Sequence, residues 1–337
     1  MLAFIAALAA CGRPSPKVPP APSTPKAPSS VVDYAPSAGL RWLLYGRPAR
    51  ISADPALFAA LGAILPKVRL DAYAASTGVD LRKLPEGLVA GYELGTLFVA
   101  KLDTADAELI RGRFASRLDD GGIVKRVRAD IYRISGTHAD TPLALVSVEN
   151  RIVAMASGDL TLARIVEAYA ERRIKSPTAL RGAALSTLPA PADDALAAFF
   201  APGPFTDESL VAAPRLLAAT LAVGAVVRSR TPGMLAVTIT LAGDWPPESK
   251  AREELESVWR GLSASSTGRL LGLDSAQNVG VEAAPELLSL SLELPIAVLV
   301  RGLRSLTVAN VPEIFELNNA TPPLPTLPHT DSLPLAP

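Results

Sequence analysis

Histidine, cysteine and aromatic side chains are scarce in this chain of 337 residues, and each scarcity removes a class of function. There are two histidines and one cysteine, and aromatics make up 5% of the residues. A zinc centre gathers three or four Cys, His or carboxylate ligands. His138, His329 and Cys11 offer no such spacing, so neither a metal nor a cofactor is expected. A Ser–His–Asp triad would have to use His138, within Gly136-Thr137-His138-Ala139-Asp140. The nearest match to a nucleophile elbow, Gly261-Leu262-Ser263-Ala264-Ser265, ends in the wrong residue. Phosphate cradles are missing too: there is no G-x-x-x-x-G-K-[ST], and no G-x-G-x-x-G between a strand and a helix. Charge of one sign is also lacking. Lys plus Arg equals Asp plus Glu at 33 each, which argues against nucleic acid as a partner. Few aromatics leave little material for stacking carbohydrate or single-stranded bases. The apolar run at 216–227 is short of the roughly 20 residues a membrane span needs, and is read as a buried element.

Paired acids are the remaining enzymatic candidates, at Asp193-Asp194 and Asp207-Glu208. Each pair lies in a proline-rich connection, where acids usually serve caps and solvated turns. No catalytic residue is assigned on this basis, and a non-enzymatic protein is expected.

What the chain does have is aliphatic bulk, 49% hydrophobic residues and mostly Ala, Leu and Val. It also has a distinctive beginning. Leu2 to Leu8 is apolar, Ala9 and Ala10 are small, Cys11 is the lone thiol, and Pro14, Pro16, Pro19 and Pro20 follow. The run Leu8-Ala9-Ala10-Cys11 resembles the lipobox of bacterial lipoproteins. That resemblance implies cleavage between Ala10 and Cys11, lipidation of the Cys11 thiol, and attachment to a membrane of the cell envelope. Gly12, in place of an aspartate, implies the outer membrane, with the body in the periplasm or at the cell surface. With Cys11 carrying lipid no disulfide can form, so stability must come from burial. The basic segment that normally opens such a signal is missing. Either the natural start lies upstream, where the DNA should encode in frame further residues including Lys or Arg, or the signal is unusually short. Beyond this beginning, the folded body is expected to resemble no characterised family.

Composition divides the rest. After the signal at 1–10, a disordered proline-rich linker is expected over 11–36, an α+β half over 37–182, and a proline-rich ordered connection over 183–206. A second α+β half follows over 207–318, and a disordered proline-rich tail over 319–337. Asp54-Pro55 supplies a cap and first-turn proline for a helix to residue 65. Residues 88–102 read as a bent strand or a tight pair. Asp103 is expected to cap a helix with Ala107, Ile110, Phe114 and Leu118 on one face. Strand-like runs follow at 123–134, 143–148 and 152–156, with a turn at Glu149-Asn150. Leu162, Ile165, Val166 and Tyr169 recur at helical spacing. Thr231-Pro232-Gly233 marks a hairpin between 220–228 and 234–241. Leu255, Val258, Trp259 and Leu262 form a helical stripe opened by Pro246-Pro247, with Glu256 and Arg260 as an i,i+4 pair. The alternation at 288–294 predicts a strand, and Pro295 a last helix to 306. Short connections imply antiparallel sheets with helices packed on one face, possibly in two similar halves.

Three functions remain open at this stage. One is an envelope module that binds a protein partner or serves assembly. A second is a carrier of a lipid or small hydrophobic ligand held between the layers. The third is a hydrolase with an unrecognised site.

Overall fold

The alternation at 288–294 folds as its pattern requires. Leu288, Leu290, Leu292 and Leu294 are buried, and Ser289, Ser291 and Glu293 between them are not. Successive strand side chains point to opposite faces, so one face of this strand meets a core and the other meets water. In the computed structural model, residues 28, 30–102, 107–205, 214–245, 250–298 and 300 are described. They contain twelve strands: β1 (Leu40–Gly46), β2 (Glu86–Tyr92), β3 (Thr96–Lys101), β4 (Ile123–Arg128), β5 (Ile131–His138), β6 (Thr141–Val148), β7 (Ile152–Ser157), β8 (Ala195–Pro202), β9 (Thr220–Thr231), β10 (Met234–Gly243), β11 (Gln277–Ala283) and β12 (Leu287–Pro295). All join one antiparallel sheet in the order β11-β12-β10-β9-β8-β1-β2-β3-β7-β6-β5-β4. The class is α+β, as the short connections imply.

The order repeats one plan. β1-β2-β3 form a meander, and the later strands return to β3 in reverse, as β7-β6-β5-β4. β8-β9-β10 form a second meander, and β12-β11 return to β10 in the same manner. The halves meet where β1 pairs antiparallel with β8, Leu43 opposite Phe200 and Leu44 opposite Phe199.

Helices fill corresponding connections: α1 (Pro48–Ala53), α2 (Pro55–Ile64) and α3 (Lys67–Thr77) between β1 and β2, and α4 (Ala107–Ser116) between β3 and β4. In the second half these are α6 (Pro214–Ala218) between β8 and β9, then α7 (Ala251–Ala264) and α8 (Ser266–Leu270) between β10 and β11. Leu57 of α2, Ile110 and Phe114 of α4, and Leu255 and Trp259 of α7 pack on one surface of the sheet. The other surface takes α5 (Thr161–Ala170), whose Leu162, Val166 and Tyr169 are buried as their spacing predicts. No helix among the described residues is long and apolar enough to cross a membrane.

Several elements differ from the sequence reading. The run 123–134 breaks at 129–130 into the β4–β5 hairpin. Residues 88–102 are the tight pair β2–β3, not a bent strand. Within 183–206 lies β8, at the centre of the sheet. Within 11–36, Val31–Tyr34 form a 3-10 turn with Val31 and Tyr34 buried. The Tyr34 hydroxyl donates to the Pro28 carbonyl at 2.8 Å, and that of Tyr92 to Pro36 at 2.9 Å. Helix α3 carries a single buried residue, Leu70, which is too weak a pattern to read in advance. The expected Glu256–Arg260 pair is replaced by Arg252–Glu256 at 3.1 Å, because Arg260 turns its Nε to the Glu256 carbonyl. The expected cap at Asp103 and Pro246-Pro247 lie outside the described residues. Of the expected last helix, 296–298 and Val300 are helical, while 299 and 301–306 lie outside them.

Candidate ligand-binding site

Residues paired across neighbouring strands share a face. One such row crosses all twelve strands: Val281, Leu290, Ile239, Ala225, Phe199, Leu44, Val89, Phe98, Met155, Leu145, Ile134 and Val124. Every member is apolar. Helix α7 covers one part of this surface at Leu288 to Leu294, and α4 covers another at Leu145 and Ile134. The middle is left open: Leu44 is 46% exposed, and Phe98 and Phe199 are each 39% exposed. Their chain neighbours Leu43 and Phe200, on the opposite face, are 0% and 1% exposed. The sheet is thus sealed on one side of its seam and open on the other. Trp42 lies on the open side, and a Cβ at Gly91 would collide with its ring.

Beside this strip the open face deepens into a cavity of about 560 Å³. Leu44, Val89, Phe98 and Met155 form its floor, and Ile51 of α1, Tyr73 and Thr77 of α3, and Ile110 and Phe114 of α4 its walls. Small-molecule sites commonly measure about 300–1,000 Å³ and are mostly apolar, with few polar groups. Here Arg117, just beyond α4, is the one charged residue in the lining.

The cavity persists because its outer wall is held at the edges rather than pulled inward. Helix α3 is fixed by Asp71, which pairs with Arg82 at 2.8 Å, and by the Ala74 carbonyl, which accepts from Arg113 of α4 at 3.2 Å. Arg82 is itself clamped to Asp80 at 2.8 Å, which holds the Asp80 carboxyl below the usual carboxylate range. Gly78 ends α3 at φ 81°, a left-handed conformation that suits glycine. A Cβ there would lie 3.3 Å from Ile110 Cγ1, so the end of α3 rests directly on α4. On the other side, Arg47 precedes α1 and donates to the carbonyls of Ala192 and Asp193. Tyr45 lies under its guanidinium, 5.7 Å from ring centre to Cζ. Burial pushes the Tyr45 phenol up, Glu86 adds to this, and Arg47 opposes it.

The residues singled out from sequence do not assemble into a second site. His138 ends β5, half exposed, with Nδ1 3.8 Å from Asp119 Oδ1. Asp193 and Asp194 point apart: Asp193 pairs with Arg47 at 3.4 Å and Asp194 with Arg228 at 3.2 Å. They pin a loop to the sheet and face no common cleft. Ser265 caps α8, accepting from the Gly268 N–H at 2.9 Å. Ala10, Cys11, Asp207, Glu208 and His329 lie outside the described residues. Among the described residues, no three His, Cys, Asp or Glu side chains are grouped to hold a metal ion. The cavity was not legible in the sequence, because its lining residues are the aliphatic and aromatic residues of any core.

No family model matches this chain, and no curated protein matches it. Among solved structures it is similar to TP0453. Crystal form I aligns at 12% identity with a TM-score of 0.46, over 83% of this chain and 99% of that one. Form III aligns at 10% identity and 0.49, again over 83% and 99%, and form IV at 10% and 0.48 over 83% and 96%. This likeness overturns the expectation that the folded body resembles no characterised family.

Proposed function

We propose that this protein is a non-enzymatic carrier of a lipid or other small hydrophobic molecule, held in the cavity between the sheet and α1, α3 and α4. The observation that carries the reading is the cavity itself, about 560 Å³ and lined almost wholly by apolar side chains. Packed interiors leave few voids larger than a water molecule, so a space of this size calls for an occupant. Leu44 and Phe98 line it and are also exposed, which gives an occupant a way in from the open strip. A generic protein-binding module needs an exposed patch but no cavity, so the carrier reading accounts for more of the molecule. Among the described residues, Asp193 and Asp194, two of the acids a hydrolase would use, are engaged separately by Arg47 and Arg228. In this reading Cys11 carries the lipid that holds the protein to the envelope, at the outer membrane, with the body in the periplasm or at the cell surface.

Native mass spectrometry of the full chain, released from membranes in mild detergent, tests the carrier reading. The expected spectrum shows a population heavier by one bound amphiphile, and the stripped protein takes up one equivalent of hexadecanol or hexadecanoate. A chain that is always bare and takes up neither would leave the cavity without a role.

A further inference from the structure

On the reading of the cavity as a carrier site, we infer that its ligand is a single-chain amphiphile with an anionic head. The head lies at Arg117, and the chain crosses the strands toward Ile51 and Ala197. The cavity is chemically polarised along one direction. At the α4 end its lining includes Arg117, one helical turn beyond Phe114 near the end of α4. At the opposite end Ile51 and Ala197 offer only hydrocarbon. From β6, which carries Leu145, to β8, which carries Ala197, are five strand intervals, about 24 Å at the usual spacing. The lining residues therefore spread across the sheet over a distance comparable to an extended acyl chain, with Arg117 the one charged residue among them.

Arg117, an exposed side chain, is set apart from the other arginines of its segment by its partners among the described residues. Arg113 donates to the Ala74 carbonyl at 3.2 Å, and Arg111 donates to Ser147 Oγ at 3.2 Å while stacking over the Tyr132 ring. The Arg117 guanidinium has no hydrogen bond or ion pair among the described residues. Asp119, two residues on, is turned to His138. A planar guanidinium with all its donors open matches a carboxylate or phosphate in a two-point contact. The same charge at the end of an apolar cavity disfavours a cationic head and gives an uncharged one no advantage.

The test compares binding of hexadecanoate, hexadecyl phosphate, hexadecanol and hexadecyltrimethylammonium to the full chain by calorimetric titration. Both anions are expected to bind roughly tenfold or more tightly than the alcohol, and the cation most weakly. The carboxylate and phosphate arms show which anionic head is preferred. Arg117→Gln should erase the margin over the alcohol, and Arg117→Lys should restore part of it. Equal binding of alcohol and anions, or a margin that survives Arg117→Gln, overturns the anionic head and leaves the carrier reading standing. Failure of all four to bind overturns both.

Discussion

A carboxylate on the buried face of a helix must be neutralised, and Glu167 of α5 is met by Arg133 of β5 at 2.8 Å. Both side chains are largely covered, so the pair joins α5 to the sheet at a place where water cannot substitute for either partner. Glu167→Ala should cost about 3–5 kcal/mol by leaving a covered guanidinium unpaired. Replacing both residues by aliphatic ones should cost less, and urea denaturation of the single and double variants measures the difference. The same scale gives a pH dependence. Burial, with help from Glu149 and Asp33 and against Arg172, raises the Tyr34 phenol above its ordinary value, and burial raises Tyr92 likewise. In the unfolded chain a tyrosine ionises near pH 10. Stability from these groups is therefore fully present below about pH 10 and falls as pH rises beyond it. Tyr34→Phe should flatten that alkaline decline while losing about 1 kcal/mol at neutral pH with its bond to Pro28. Thermal melts from about pH 8 to about pH 11 read both effects. Nothing in the sequence distinguished Tyr34 from a linker residue, because its role depends on partners brought together by the fold.

Elements differ in how firmly they are held, and this follows from what each buries. Helix α5 covers three apolar side chains at i, i+4 and i+7, each worth about 1.5–3 kcal/mol, in the core that also holds Val31 and Tyr34. Helix α3 buries only Leu70, and α2 only Leu57 among its residues described as to burial. Amide hydrogen exchange should therefore be markedly faster in α2 and α3 than in α5 and β1, and should slow in α3 when the cavity is filled. Equal protection across these helices would contradict the picture of a wall held at its edges. Legibility tracks the same difference. The stripe of α5 and the alternation of β12 were readable because burial on one side imposed a period. Helix α3 was not, since its contacts are polar clamps to Arg82 and Arg113. Strand β8 was hidden for another reason: the face it leaves open carries Ala197 and Phe199, as apolar as the buried Leu196, Ala198 and Phe200, so its sequence shows no alternation, and the prolines around it read as a connection.

For the molecule as a whole, one sheet surface is closed across the seam and the other is closed only at its flanks. The α+β class followed from short connections and hairpin signals, but the correspondence of β8-β9-β10 to β1-β2-β3 did not. Nor did the gap between the flanking helices, because it depends on how far α3 and α4 stand from the strands. If that gap is the site, filling it from within should remove binding without unfolding the protein. Ala100→Phe places a ring in the cavity, and should lower affinity for hexadecanoate by roughly tenfold or more while changing stability by no more than about 1 kcal/mol. The most direct measurement is a crystal structure of the full chain with terminally brominated hexadecanoate, read by the anomalous signal of bromine. The account predicts one bromine peak inside the cavity, beside Ile51 and Ala197, with the carboxylate at Arg117. A cavity empty of ligand at saturating concentration, or bromine confined to the open strip over Leu44 and Phe199, would contradict it.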